Sequence, residues 1–241
     1  MDQNTSNSTL PTHLAVIMDG NGRWAKAKGL PRLKGHEEGA KRVIDIAEEA
    51  KRLGIHYLSL FAFSTENWKR SQQEVEGLFI ILETFAKQYK QRLLKVQIRF
   101  VVSGDILGLP KTTQKVVREL IEETKNFHGY ILNVCLNYGG TQELVEMSKR
   151  IAKKVANGDL PVEAIQESTL FSHTWLGDLL PPIDCLIRTS GEQRLSNFML
   201  LHLAYSELIF VENHWPDFTV TVLHEVLDQF SHRQRRFGKE S

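Results

Sequence analysis

Short apolar runs alternate with longer stretches of helical periodicity along this chain. HLAVIM (13–18) is a compact apolar run ended by a glycine turn, the pattern of a buried strand. From His36 to Leu53, the apolar residues Val43, Ile46, Ala47, Ala50 and Leu53 recur at helical spacing, and Gly54 stops them. HYLSLFAF (56–63) predicts a second strand, and the polar loop STENWKRS (64–71) follows it. Ser71 and Glu74 have capping-box spacing for the next helix, about 72–94. Leu78, Phe79, Ile80, Ile81, Leu82 and Phe85 exceed one narrow stripe of that helix, so part of it is expected to face a cavity and part the core. QIRFVVS (97–103) is a third strand, KTTQKVVRELIEETKNF a helix and YILNVCLN (130–137) a fourth strand. NYGG opens a helix that runs to about 156. DCLIRT (184–189) and SELIFVE (206–212) are a fifth and a sixth strand, and TVTVLHEVLDQFSHRQRRF closes the chain as a helix.

This rhythm predicts a single α/β domain over 13–241, with a mostly parallel sheet of about six strands and helices on both faces. The polar start, 1–12, is expected to be a disordered tail. Ligands of such sheets bind beyond the carboxyl ends of the strands. DGNGRW, STENW, NYGG and RTSGEQRLSN each follow a strand directly, so they should gather along one edge of the sheet.

Composition narrows the function classes. The 241 residues are 41% hydrophobic, enough for one sizeable core. A formal charge of +1 offers no global attraction to nucleic acid, so any positive field must be local. No apolar run approaches the ~20 residues of a membrane span, and the start lacks the basic and apolar regions of a signal peptide. Cys135 and Cys185 lie in apolar runs without metal-ligand spacing, as buried thiols in a reducing compartment would. The expected location is cytoplasmic, peripheral to a membrane at most.

The candidate chemistry starts at MDGNGRW (18–24), where Asp19 precedes a glycine turn of the kind that cradles phosphate. GNGRWA matches a dinucleotide fingerprint, but the acid expected about 20 residues on is missing, and no Gly-Lys-Ser/Thr follows for a P-loop. Two readings of Asp19 remain. It holds a divalent cation between itself and a phosphate, with backbone donors from the glycines and a clamp from Arg23; or it caps a turn. In IRTSGEQRLSNF (187–198), Arg188, Arg194 and Ser196 suit a second anion, while a solvated turn with an Arg–Glu192 pair is the simpler reading. Arg32 and His36 add positive capacity beside the first loop, and Glu207 would face Asp19 if its strand lay beside DCLIRT. No nucleophile–base motif is present. The pattern points to chemistry on two phosphorylated substrates with a metal.

HLAVIMDGNGRWAKAKGLPRLKGHEEGAKRV, FAFSTENWKRSQQEVEGL, LNYGG and IDCLIRTSGEQRLSNFMLLHLAYSELIFVENHWPDF, then RQRRFG, closely resemble the cis-prenyltransferases over about His13 to Gly238. Bacterial members that make undecaprenyl diphosphate, the precursor of a cell-wall lipid carrier, are the most similar. The resemblance implies condensation of an allylic diphosphate, typically farnesyl diphosphate, with successive isopentenyl diphosphates. It implies catalytic roles for Asp19 and Asn67, Asn67 in proton removal, and Mg²⁺ on Asp19 with Glu207 as a second acid. The allylic diphosphate would fall to Gly20, Asn21, Gly22, Arg23, Trp24, Arg32 and His36, and isopentenyl diphosphate to Arg188, Arg194, Leu195 and Ser196. Ser64, Thr65, Glu66, Trp68 and Arg70 would shape the site between them. An apolar tunnel would take the growing chain, with Ala62 small on its wall. The family also implies a homodimer, with RRFG (235–238) reaching toward the partner, and delivery of product to a membrane. Gln193 and Leu201 depart from a frequent His and Trp. A non-catalytic prenyl-diphosphate-binding subunit and a nucleotide-binding oxidoreductase are the rival readings; the first usually lacks the acid and the GNGR loop.

Overall fold

The computed structural model of the protein describes residues 10–233. Six strands form one wholly parallel sheet: β1 (His13–Ile17), β2 (Tyr57–Ser64), β3 (Arg99–Ser103), β4 (Ile131–Tyr138), β5 (Cys185–Arg188) and β6 (Glu207–Phe210). Their order across the sheet is β3-β4-β2-β1-β5-β6. β1 is buried along its whole length, as an apolar run covered on both faces must be.

Among the described residues six α-helices lie between strands, α1 (Asn21–Ala27), α2 (Arg32–Arg52), α3 (Gln72–Lys95), α4 (Lys111–Thr124), α5 (Gly140–Ala156) and α6 (Glu167–Ser172), and α7 (Val220–Ser231) follows β6. On one sheet face, Leu14, Leu58, Leu60 and Leu132 share a core with Ile44 and Ile46 of α2, Phe79 of α3, Val117 of α4 and Leu223 of α7. On the other face, Ala15, Ile17, Val101 and Leu186 pack with Phe198, Met199 and Leu203 from the stretch before β6. α5 joins that second face through Glu143, whose carboxylate accepts from the Tyr138 hydroxyl at 2.5 Å and from Trp175 N at 3.1 Å.

The predicted strands and long helices are all present, with shifted ends. α2 begins at Arg32 and so includes His36, which the periodicity placed at the helix start. α1 and α6 are short and carry no apolar period, so the sequence pattern did not reveal them. The tail assigned to 1–12 overlaps the fold: Leu10 packs against the core, and the N–H groups of Thr12 and His13 donate to Asp184 at 2.8 and 3.0 Å. RRFG lies outside the described residues. Both cysteines are buried free thiols, and no described helix is long and apolar enough to cross a membrane.

The sheet order changes direction at β1. The chain builds β2, β3 and β4 on one side of it, then returns to lay β5 and β6 on the other. Open α/β sheets hold ligands at such a switch point, beyond the carboxyl ends of the strands. Ile17 pairs with Arg188 in register, so β1 and β5 end side by side there.

Candidate active site

Asp19 leaves the end of β1 and Gly20 turns the chain at φ +97°, a conformation that favours glycine. A Cβ at Gly20 would collide with Ser190 Oγ and with His214 Nδ1. These two side chains are hydrogen-bonded to each other at 2.7 Å, a pair unmarked by any motif, and they buttress the turn from behind. The Asp19 carbonyl accepts from Thr189 Oγ1 at 2.7 Å and Trp215 N at 2.9 Å, so the loops after β5 and β6 both fix it. WPDF (215–218) therefore supports the site: Trp215 lines the cavity and donates its indole N–H to the Gly39 carbonyl at 2.7 Å.

Asp19 does not cap α1; Gly20 is the capping residue. Its carboxylate instead takes Gly20 N at 2.7 Å, Arg188 Nη2 at 3.0 Å and Arg23 Nη2 at 3.1 Å. Burial pushes the carboxyl up, but the Arg188 hydrogen bond and the charges of Arg23 and Arg188 outweigh it and hold the group below its ordinary value. Arg188 is only 4% exposed and also donates to Ser196 Oγ at 2.7 Å and to the Arg194 carbonyl. Arg23 and Arg194 share Glu192, so the Arg–Glu192 pairing and the anion loop coexist, with Asp19 as the partner of Arg188.

The loop after β2 completes the mouth. Asn67 Oδ1 accepts from Ser64 N at 3.0 Å and fixes the 3-10 turn Thr65–Lys69. Ser71 caps α3 as predicted, accepting from Glu74 N, but the Glu74 side chain does not close a capping box. It takes Arg32 Nε at 2.8 Å and Arg70 Nη1 at 2.9 Å, a bridge the capping signal concealed. Beside it, His36 Nε2 is buried without a hydrogen-bond partner. Burial, reinforced by Arg70 and Arg32 and opposed by Glu74, pushes His36 down to about 4. The imidazole is therefore neutral at neutral pH, with one buried nitrogen unsatisfied.

The mouth opens into a cavity of about 770 Å³ on the helical face of the sheet. Its polar end is walled by Asp19, Asn21 and His36, by Ser64, Glu66, Asn67 and Arg70, and by Arg188, Arg194, Ser196 and Asn197. Deeper, the wall is apolar: Val43 of α2, Leu78, Ile81, Leu82 and Phe85 of α3, and Val134 of β4. Ala62 counts as exposed although β2 lies between β4 and β1, because it too lines the cavity. Such a volume is near the upper end for small-molecule sites and far exceeds what a diphosphate fills.

Other predicted residues stand off the wall. Gly20 and Gly22 shape the turn; Arg23 and Arg32 adjoin it through Asp19 and Glu74. Trp24 donates to Asp217 at 2.8 Å, Trp68 donates to Asn137 Oδ1 at 2.7 Å and packs on Phe63 and Phe79, and Leu195 packs on the second core. Thr65 lies against Gly139. Glu207 is the clearest correction. Its strand does pair with β5, but the register sets Glu207 opposite Cys185, at the amino end, while Asp19 lies beyond Arg188 at the carboxyl end. Within this chain Glu207 and Asp19 do not face each other, and Glu207 binds Arg233 at 2.8 Å.

Known proteins are similar to this chain in sequence and fold. The prenyltransferase family model described as "Putative undecaprenyl diphosphate synthase" matches residues 17–238. An isoprenyl transferase of Halalkalibacterium halodurans is 49% identical over 96% of this chain and 90% of its own. A ditrans,polycis-undecaprenyl-diphosphate synthase ((2E,6E)-farnesyl-diphosphate specific) of Lactiplantibacillus plantarum is 45% identical, over 95% of this chain and 89% of its own. Among solved structures, lavandulyl diphosphate synthase from Lavandula x intermedia, in complex with dimethylallyl diphosphate, superposes with TM-score 0.93 at 34% identity, covering 97% of this chain and 100% of that one. The chain thus belongs to the undecaprenyl diphosphate synthase family of cis-prenyltransferases, and it is an enzyme of cis-prenyl chain elongation.

Proposed function

We propose that the enzyme condenses farnesyl diphosphate with successive isopentenyl diphosphates and releases undecaprenyl diphosphate. One observation carries this reading: two arginine-bearing loops, with the carboxylates Asp19 and Glu66 between them, ring the polar end of a cavity whose remaining wall is apolar. The relatives support it, since one is named for farnesyl diphosphate and another is in complex with an allylic diphosphate, dimethylallyl diphosphate.

In this reading the allylic diphosphate sits on the Gly20–Arg23 turn, with Arg32 and the unsatisfied His36 nitrogen as further donors. Isopentenyl diphosphate takes Arg188, Arg194 and Ser196, already joined in one cluster. The carbon–oxygen bond of the allylic substrate breaks with its electron pair leaving on diphosphate. A carbon–carbon bond forms to isopentenyl diphosphate, and loss of a proton sets the cis double bond. Fixed donors aimed at the departing charge lower that barrier. Asn67 orients the proton-removal step; as an amide it guides the proton rather than keeping it.

Mg²⁺ is the proposed cofactor, and the residues fit it in one specific way. Among the described residues no cluster of three or more His, Cys, Asp or Glu is arranged to hold a metal. Asp19 is an ionised, partly buried carboxylate on the cavity wall. Magnesium is commonly held by one or two carboxylates together with substrate phosphate oxygens. Asp19 would hold it, and the ion would supply charge neutralisation to the leaving diphosphate. We further propose a homodimer, with the product passed to a membrane from a cytoplasmic protein.

Purified protein given farnesyl diphosphate, radiolabelled isopentenyl diphosphate and Mg²⁺ should yield a ladder ending at the undecaprenyl product by mass spectrometry. Products ending one or two additions beyond the primer would refute the long-chain assignment.

A further inference from the structure

The glycines of NYGG, which follow β4 directly, are explained by neither the phosphate chemistry nor the core. They are where a distant loop comes close. A Cβ on Gly139 would stand 2.7 Å from Thr65 Oγ1 and 3.0 Å from Asn197 Nδ2. On Gly140 it would stand 2.7 Å from Leu200 Cγ and 3.0 Å from the Asn197 carbonyl oxygen. The approaches to Thr65 and Leu200 are closer than a Cβ sits and those to Asn197 leave it little room, so the glycines clear space for Thr65, Leu200 and Asn197 together.

Asn197 uses that space fully. Its carbonyl accepts from Gly140 N at 2.7 Å and its Oδ1 from Thr141 N at 2.8 Å. These are N–H groups at the start of α5, which has no side-chain cap of its own. The remaining amide group, Nδ2, donates to Glu66 Oε1 at 3.0 Å. Asn197 holds φ +63°, a left-handed conformation that asparagine accepts more readily than most residues. It adjoins Ser196 and lines the cavity with Glu66. One side chain thus joins the loop after β5 to the loop after β2, with the α5 start as the fixed point.

We propose that Asn197 is a positioning residue for the second substrate: its amide holds the Arg194–Ser196 loop on the start of α5 and in register with Glu66, and so sets the affinity for isopentenyl diphosphate. This rests on the assignment of that substrate to Arg188, Arg194 and Ser196. The allylic side keeps its geometry when Asn197 changes, because Thr189, Trp215 and the Ser190–His214 pair hold the Asp19–Gly20 turn.

Three variants test it by steady-state kinetics with each substrate varied in turn. Asn197→Gly keeps the left-handed backbone and the carbonyl bond to Gly140 but loses both amide contacts. Its KM for isopentenyl diphosphate should rise about ten-fold or more, the scale of a hydrogen bond to a charged group, with the allylic KM within about two-fold. Asn197→Asp keeps an acceptor for Thr141 but sets a carboxylate against Glu66, and should raise the same KM. Asn197→Asp with Glu66→Gln reverses donor and acceptor, and should bring the KM back toward wild type whatever happens to kcat. Equal changes in both KM values, or an isopentenyl KM in Asn197→Gly equal to that of wild type, overturn the proposal. Failure of the double variant to lower the KM of Asn197→Asp also overturns it. A wild-type protein that forms no polyprenyl product instead overturns the underlying assignment of the reaction.

Discussion

At Asp19, burial and the two arginines pull the carboxyl in opposite directions, and the arginines prevail. Each cation at the mouth has a carboxylate partner: Asp19 for Arg188 and Arg23, Glu192 for Arg23 and Arg194, Glu74 for Arg32 and Arg70. A diphosphate therefore enters a site whose charges are held in place by internal pairs, and it competes with acids for preplaced guanidiniums. Asp19→Ala should fold normally, because its backbone contacts to Thr189 and Trp215 are untouched. Turnover should fall by about 10²-fold or more, the usual cost of deleting a group that serves developing charge. Unchanged turnover in Mg²⁺ would remove Asp19 from the chemistry. At this scale the residues that wall the polar end, Asn197 apart, were legible from motif and family resemblance. Glu74, Asn197 and the Ser190–His214 pair were not, since a partner far away in sequence gives each of them its role.

Among the elements, α2 shows how a local rule is overridden. Gly35 and Gly39 look like interruptions of a helix, yet α2 runs through both. A Cβ at Gly35 would overlap the Asn21 carbonyl, and one at Gly39 would press on Trp215 at 2.8 Å. The glycines let α2 lie against the phosphate turn. Gly35→Ala improves helix propensity by about 1 kcal/mol, but the backbone overlap should dominate and destabilise the protein by about 1–3 kcal/mol. Urea unfolding measures the sign, and a stabilised variant would refute the close approach. α3 and β2 carry the tunnel. Val75, Phe79 and Leu93 of α3 are buried, and Phe79 and Leu93 also line the cavity with Leu78, Ile81, Leu82 and Phe85, which accounts for its broad apolar pattern. Ile80, 63% exposed, belongs to neither set. Ala62→Leu should narrow the cavity and shift the radiolabelled product ladder to shorter chains at similar stability. An unaltered ladder would take Ala62 off the product's path.

For the molecule as a whole, acid stability is set by three imidazoles that burial keeps neutral, His36 at the tunnel mouth and two on the opposite sheet face. His13 and His202 are both buried there, at 0% and 2% exposure, and burial pushes each from 6.5 to about 4. His13 is bonded to Ser59 and the Pro181 carbonyl, whereas both His202 ring nitrogens lack partners. Between pH 6.5 and 4 the unfolded chain binds protons that the folded chain refuses, so stability falls as pH falls through that window. Each fully buried ring accounts for about 3 kcal/mol by its lower end. His202→Gln should flatten the loss of urea-unfolding free energy between pH 7 and pH 5; an equally steep variant would refute the assignment. The sequence by itself determined the parallel α/β architecture, the strands and long helices, and the four loops at one sheet edge, because periodicity and glycine turns act locally. Only the tertiary structure decided which residues meet. The switch at β1 set Arg188 beside Asp19, and the β5–β6 register carried Glu207 to the far end. The approach of the Ser196–Asn197 loop gave NYGG its purpose. Those pairings depend on strand order and register, which arise from contacts between segments distant along the chain and leave no local period to read.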